Sequence, residues 1–450
     1  MPDTTHPEAT PNGAHASAAE RYRPVRVLEL ELGGPGTPLR PTGAAAVPPF
    51  TPALVLVRLH GHPLGLVEVS AADADGLRHA VLDSAGRELA GAIERHLAAD
   101  GERELAGAGP HRCLAARTAL LRDPPPVSVV IGTHDRPTML RDCLDSVFRV
   151  DYPEFEVIVV DNAPHSEDSA HLVRERYRGR VRYLREPIPG LSRARNRALA
   201  VAGGRIIAFA DDDTLVDPAW LAAVAECFAL SEAIGCVTGL ILAAELETAA
   251  QAALARHGDF GKGFVRKQWS LDDPPDDPLF PFSAGRYGSG ANMAVRTDLL
   301  RRLGGFELAT GPGTHARGGE DLLAFLRVLA GGHALAYEPD AVVWHRNRLT
   351  DDALTTQAFG YGAGFSACLA ASVVREPQLA PALLRRLPRG VAFAADRARA
   401  RPARDADWTW RLSATEVLGL LYGPVGYLRA LRRVHLDAHV GPEHGQDAAA

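Results

Sequence analysis

The feature that most constrains this chain is a series of short, apolar, β-branched runs, each ending in polar residues and each followed by a helical pattern. Val127–Ile131 is such a run, and Glu156–Val160, Val181–Leu184 and Arg205–Ala210 repeat the theme. Helical periodicity fills the intervals at Met139–Phe148, Ser166–Tyr177 and Ser192–Ala202. Strand–helix alternation at this spacing predicts βαβ units and a parallel sheet covered by helices on both faces. Ligands of such sheets bind beyond the carboxyl ends of the strands. The polar residues that close each run therefore become the candidates for chemistry.

The rest of the chain divides around this segment. Residues 1–21 are rich in Pro, Ala, Thr and His, lack an apolar core, and read as a disordered tail rather than a signal peptide. Residues 22–121 read as a small α+β domain, with strands at Val25–Leu32 and Ala53–Leu59. A turn at Gly61-His62-Pro63 leads into Leu64–Val69, and helices follow around Leu77–Ala98. No catalytic constellation is visible there, and His60 and His62 read most simply as turn residues, with metal binding the lesser alternative. Asp123-Pro124-Pro125-Pro126 is a stiff linker into the α/β segment, taken as 126–348. Residues 349–436 read as a helical region in which arginine outnumbers acid beyond Arg375, with Gly423-Pro424 as an interruption. Residues 437–450 read as a second disordered tail. Ala358–Val374 carries no charge but is diluted by Gly, Ser and Ala, so it reads as a buried or interfacial helix, not a span.

Composition excludes some classes. A formal net charge of -6 gives no basic field for nucleic acid. The five cysteines form no CxxC pair, so they indicate neither a disulfide framework nor a zinc site, and a reducing compartment is the simpler setting.

Ala210-Asp211-Asp212-Asp213 follows an apolar strand directly. Adjacent carboxylates repel, and a fold accepts them where a cation or solvent compensates. Asp211 and Asp213 alternate as in an extended chain and could face one hard divalent ion, or the three could be a solvated capping loop. Gly132-Thr133-His134-Asp135-Arg136-Pro137 ends the first strand, where Thr133 and Asp135 suit either a helix cap or a nucleoside. Asp161, at the end of the second strand, can accept from a base N–H or a ribose hydroxyl, or act as a cap. Arg193, Arg195 and Arg197 surround a helix start and suit phosphate or a solvated face. Glu320 and Asp321 begin an amphipathic helix, as its dipole favours, and either could be a general base. His345 closes a strand at Trp344-His345 and could complete a metal site.

Taken in order, a Thr-x-x-Arg turn, Val-Asp-Asn, Ser-x-Ala-Arg-Asn, Asp-x-Asp, Gly-Glu-Asp and Trp-His resemble the family 2 glycosyltransferases of GT-A fold, over roughly Pro126–Arg348. The resemblance implies an α/β, Rossmann-like catalytic domain and an inverting transfer of sugar from a UDP- or dTDP-linked donor to a hydroxyl of a glycan or lipid-linked acceptor. It implies Thr133, Asp135, Arg136, Asp161, Arg195, Asn196 and Asp212 on the donor side. Asp211, Asp213 and His345 would hold Mn²⁺ or Mg²⁺, with Asp321 as base, Glu320 as the less favoured base, and Asn292 near the acceptor. His134 stands where the family usually has an aromatic residue. Polysaccharide biosynthesis at the cell envelope is the implied setting, with a cytoplasmic protein; its arginine-rich C-terminal helices suit either contact with the inner face of an anionic membrane or an ordinary helical cap over the sheet. Rival readings are a nucleotidyltransferase, which would carry a basic glycine-rich loop after the first strand, and a dinucleotide oxidoreductase, which would carry GxGxxG. A catalytically silent binding or scaffold protein of the same fold is the rival from another class.

Overall fold

A computed structural model describes residues 22–33, 40–41, 52–71, 73–102, 105, 111–257, 262–390, 392 and 410–439. The expected tail at 1–21, and all but the first three residues of that at 437–450, lie outside them.

The first unit is a four-stranded sheet in the order β2-β1-β3-β4, formed by β1 (Arg26–Glu31), β2 (Arg40–Pro41), β3 (Ala53–Leu59) and β4 (His62–Val69). Helices α1 (Ala74–Glu88) and α2 (Ala90–Asp100) follow, and a short helix α3 (Ala115–Leu120) leads toward the second unit. Leu30, Val55, Val57, Val67, Leu77 and Val81 form its core. Ion pairs join the units. Arg58 Nη2 lies 2.5 Å from Asp217 Oδ2, and Arg117 on α3 reaches Glu226 at 2.9 Å and Asp340 at 2.6 Å.

The second unit is a nine-stranded sheet. Its strands are β5 (Val127–Thr133), β6 (Phe155–Asn162), β7 (Val181–Glu186), β8 (Ile206–Asp211), β9 (Thr214–Val216), β10 (Ile234–Ala243), β11 (Lys267–Trp269), β12 (Asn292–Arg296) and β13 (Ala334–His345). The order is β11-β13-β10-β12-β8-β5-β6-β7, with β9 paired to β13. Strands β8, β5, β6 and β7 are parallel neighbours, as the alternating pattern predicts. Beyond them the sheet is mixed, because β12 runs antiparallel to both β8 and β10. The parallel pattern read over 127–210 thus holds there and does not extend to β12. Asn292, which the resemblance placed near the acceptor, begins a strand whose first four residues are buried.

Successive residues of β5 point to opposite cores. Val129 and Ile131 pack under α4 (Pro137–Val147) and α7 (Trp220–Ala229), while Val130 packs under α6 (Leu191–Val201) and α10 (Glu320–Ala330). Burial on both faces explains why these strands are continuous apolar runs. Helix α5 (Asp168–Arg176) links β6 to β7, α8 (Ala249–His257) follows β10 and α9 (Thr297–Arg302) follows β12.

Two long C-terminal helices close the molecule, α11 (Asp351–Arg375) and α12 (Trp410–His439). Helix α12 continues through Gly423-Pro424, which the sequence read as an interruption, and extends past Leu436. The two helices pack backbone to backbone: a methyl group at Gly362 would strike Glu416, and one at Gly419 would strike Phe359. Helix α11 is apolar and long enough to cross a membrane by length and composition, with a hydropathy of 1.2. Here its Leu354, Ala358, Ala363, Ala367 and Ala371 are buried within the protein.

Candidate active site

The carboxyl ends of β5, β6, β8 and β13 and the start of α10 meet at one edge of the sheet. Register fixes this: Thr133 pairs with Asp161, Gly132 with Asp211, and His345 with Thr214. Sequence-distant polar residues therefore become neighbours.

Asp213 and His345 form the centre, with Asp213 Oδ1 3.4 Å from His345 Nε2. Arg136 Nη1 lies 3.3 Å and Arg348 Nη1 3.9 Å from Asp213 Oδ2. Burial pushes the Asp213 carboxyl up, yet the adjacent imidazole and the two guanidiniums hold it below the usual carboxylate range. Burial lowers the His345 pKa, and the Asp213 charge outweighs it and raises it. Asp211 lies one step back on the strand. Burial pushes its pKa up; the charge of Arg195 opposes the shift and that of Asp213 adds to it.

Asp212 points the other way. Thr133 Oγ1 donates to Asp212 Oδ2 at 2.8 Å and Arg136 Nη1 to Oδ1 at 3.2 Å. Its pKa is pushed up to about 6, by burial first and then by the Asp213 charge. Asp212 thus locks the β5–α4 turn to the β8–β9 turn. This replaces the helix-cap reading of Thr133. Asp135 does not cap either: it adopts φ 51° and accepts from His165 N at 3.0 Å and His165 Nδ1 at 2.6 Å, joining the loops after β5 and β6. The exposed rings of His134 and His165 stand edge to face, with centroids 5.3 Å apart.

Asp161 lies at the floor of the same edge. Tyr183 donates to its Oδ2 at 2.6 Å, while Oδ1 is buried with no hydrogen-bond partner among the described residues. Burial raises its pKa. An unpaired buried acceptor beside two loops is suited to a ligand N–H or O–H.

The three arginines around the α6 start do not converge. Arg193 pairs with Asp437 at 3.0 Å, and Arg197 is exposed. Arg195 is buried, within 5.4 Å of the ring centroids of Phe209 and Phe306. It donates to Glu320 Oε1 and Gly290 O at 3.1 Å and reaches Asp211 Oδ1 at 3.4 Å. Its donors are committed to holding two acids in place. Glu320, buried against it, has its pKa raised to about 7 by burial and then by the neighbouring Asp321 charge. Asp321 is less buried, and its Oδ2 accepts from Gly290 N at 2.7 Å. A side chain at Gly290 would set a Cβ 2.9 Å from the Asp321 Cβ, so only glycine permits this approach.

Two expected site residues are structural here. Asn292 is buried in the sheet: its amide donates to Leu240 O at 3.1 Å and Ala341 O at 2.7 Å, and its carbonyl accepts from Trp220 Nε1 at 2.9 Å. Both amide hydrogens are used and the side chain is buried, so Asn292 ties strands together rather than facing an acceptor. Asn196 exchanges a pair of hydrogen bonds with the Phe306 backbone, at 2.7 and 2.8 Å, and anchors that loop rather than a donor. Conversely, Tyr183 and Arg348 reach the site without having been singled out. Arg348 lies three residues beyond His345, so its position was the available signal; nothing marked Tyr183.

Residues 128–303 match the sequence model of the family described as Glycosyl transferase family 2. Among characterised relatives, the O-antigen biosynthesis protein RfbC of Myxococcus xanthus is 28% identical over 250 residues, 53% of this chain and 19% of that protein. The succinoglycan biosynthesis protein ExoM of Rhizobium meliloti is 29% identical over 225 residues, 48% of this chain and 65% of its own length. The chain thus spans a minor part of the first relative and somewhat under two thirds of the second. A solved mannosyltransferase, PcManGT of Pyrobaculum calidifontis in complex with GDP-Man and Mn2+, aligns at a TM-score of 0.42 and 20% identity, over 72% of this chain and 85% of that one.

Proposed function

The chain carries a family 2 glycosyltransferase domain, and from that premise we propose that it moves a sugar, with inversion, from a UDP- or dTDP-linked donor to a hydroxyl of a glycan or lipid-linked acceptor. The observation that carries this reading is the Asp213–His345 contact at the strand ends, with Asp211 and Asp321 close enough for their charges to interact.

Asp213 Oδ1 and His345 Nε2, 3.4 Å apart, with the Asp211 carboxylate near enough to feel both charges, would offer oxygen and imidazole donors to a divalent ion of the Mn²⁺ or Mg²⁺ class. When bound, such an ion supplies a positive charge that stabilises the departing diphosphate. The protein's own residues do the rest. Asp161 Oδ1 accepts from the nucleoside, and His134 and His165 flank the base. Arg136 and Arg348, the partly exposed guanidiniums, lie where donor phosphates would meet Asp213. Arg195 takes a different role from the expected one, bracing Asp211 and Glu320. Asp321 deprotonates the acceptor hydroxyl as it attacks the anomeric carbon from the face opposite the leaving group. Glu320 is the weaker candidate for base, because it is more deeply buried than Asp321 and accepts from Arg195 Nη1.

Helix α12 supports a membrane-side acceptor. Leu418, Leu421, Val425 and Leu428 make an exposed apolar stripe at helical spacing, flanked by Arg411, Arg429, Arg432 and Arg433. Salt-sensitive pelleting with anionic vesicles would accord with peripheral contact; no pelleting at low salt would exclude it.

The primary test is calorimetric titration with UDP, dTDP and GDP, with and without Mn²⁺, on the native chain and Asp213→Ala. Metal-dependent binding of one nucleotide, lost in the variant, is expected. Absence of binding by folded protein would favour a silent scaffold of the same fold.

A further inference from the structure

The first unit contains a second polar cluster, remote from the sugar-transfer residues in both sequence and fold. We propose that His60, His96, Asp100 and Cys113 form a closed, tetrahedral binding site for a divalent transition metal, and that zinc is the ion this donor set fits. The four residues come from three elements. His60 sits in the β3–β4 turn, and His96 and Asp100 lie four residues apart on one face of α2. Cys113 lies in the short turn of helix at Arg112–Leu114 that leads into α3.

Distances carry the argument. His60 Nδ1 lies 3.2 Å from His96 Nε2, 2.8 Å from Asp100 Oδ2 and 3.7 Å from Cys113 Sγ. Asp100 Oδ2 lies 3.7 Å from His96 Nε2 and 3.1 Å from Cys113 Sγ. A tetrahedral zinc ion, bonded to N and O at about 2.0–2.1 Å and to S at about 2.3 Å, sets its ligand atoms roughly 3.3–3.6 Å apart. All four donor atoms lie within 4.8 Å of one another.

Ordinary hydrogen bonding does not account for this arrangement. A neutral imidazole donates from one nitrogen only. The single Nδ1 of His60 is approached at once by a carboxylate oxygen, a second imidazole nitrogen and a thiol sulfur. A cation accepts lone pairs from all four.

The ring's other nitrogen gives an independent observation. His60 Nε2 is buried without a hydrogen-bond partner among the described residues, and so is Glu102 Oε2, 3.8 Å away. A metal-bound imidazole characteristically donates its second N–H to a carboxylate, which orients the ring and raises its basicity. Glu102 stands in that position and is itself held by His111 at 3.0 Å, whose ring stacks on His60 with centroids 3.4 Å apart.

The backbone is consistent with a demand on His60. The two-residue turn has φ 53° at His60 and φ 83° at Gly61, the left-handed pair of a hairpin turn in which the first position normally favours Asn, Asp or Gly. The His60 side chain is 0% exposed and that of Asp100 1%. Four protein ligands and no open position make the site structural rather than catalytic. It would tie the hairpin, α2 and the start of α3 together, immediately before Arg117 crosses to Glu226 and Asp340 of the second unit.

The test uses the full chain, purified, stripped by chelator and dialysed against zinc or cobalt alone. The expected result is one zinc retained per chain, and a thiolate-to-cobalt charge-transfer band on titration with Co²⁺. Both should persist in an Asp211→Asn/Asp213→Asn variant and be lost in Cys113→Ser and His96→Gln. If the last two variants do not fold, zinc content and the cobalt band in the native chain still decide. Failure of the native chain to retain zinc or to give the band would overturn the proposal. So would zinc that stays with Cys113→Ser, or that leaves only when Asp211 and Asp213 are changed.

Discussion

The molecule gathers acidic and imidazole side chains in two places, and the two are built differently. At the edge of the large sheet, Asp211, Asp213 and His345 sit among Arg136, Arg195 and Arg348, and part of the cluster faces outward. In the first unit, His60, His96, Asp100 and Cys113 face one another with no arginine between them and little exposure. The first arrangement suits a charged ligand that arrives and leaves, because cations line its approach. The second suits an ion that stays, because its neighbours are ligands and packing. The contrast is between a working site and a brace, and it can be tested from either side.

The largest expected effect falls on the working site. Asp213→Ala should lower kcat by at least about 100-fold, the scale of removing one preorganised charge-stabilising group. It should leave zinc content unchanged. Activity would be followed as nucleotide release once a donor is identified by titration. A variant with near-native turnover would break the assignment of this edge to catalysis. The brace should respond the other way. Stripping zinc should lower the first unit's melting temperature by about 5 °C or more, since roughly 1 kcal/mol corresponds to about 4–8 °C in a unit of this size. Nucleotide affinity should change little. Equal loss of nucleotide binding on stripping, with Mn²⁺ restored, would merge the two sites into one.

How legible each region is in the sequence follows from the same contrast. The α/β core could be read because its strands are continuous apolar runs and its polar ends are contiguous motifs. Strand β12 was missed because an antiparallel strand inserted between βαβ units leaves no alternation, and its Asn292 looked like a ligand-facing residue. In the structure that amide closes hydrogen bonds inside the sheet. Arg195 and Asn196 were assigned to the donor from their motif, but direction around a helix cannot be read from adjacency. One points into the acid pair and the other into the loop at Phe306. The cluster around His60 left no motif. Its ligands are spread from residue 60 to residue 113 with no CxxC spacing, and His60 reads as an ordinary turn residue until β3, α2 and the 112–114 turn are folded together.

Within the working site, Asp161 sharpens the division between donor and metal. Its Oδ1 is the unpaired buried acceptor, so Asp161→Asn replaces one charged acceptor and should weaken nucleotide binding by about 10–100-fold, the scale of about 1.5–3 kcal/mol for a hydrogen bond to a charged group. The metal requirement should persist. Calorimetry with and without Mn²⁺ separates the two, and an unchanged Kd would remove Asp161 from the donor site.

The last effect, seen only as a difference across pH, concerns the acid pair that Arg195 braces. Burial, followed by the Asp321 charge, raises Glu320 to about 7 in the folded protein, against an ordinary value near 4.5. A carboxyl raised in this way contributes stability that is fully present below its unfolded value and is lost as pH rises through its folded value. Between about pH 4.5 and 7 the folded chain holds a proton that the unfolded chain has released. The native protein should therefore lose stability relative to Glu320→Gln across that window, by at most about 1.4 kcal/mol per pH unit. Above pH 7 the difference should level off. Denaturant unfolding of both proteins at intervals from pH 5 to 8 measures it, with zinc present so that the brace does not contribute. A difference that is flat from pH 5 to 7 would mean that Arg195 keeps Glu320 ionised throughout. Glu320 would then be a fixed negative charge beside Asp321, and no longer the neutral group that leaves Asp321 as the only anion of the pair at mildly acidic pH.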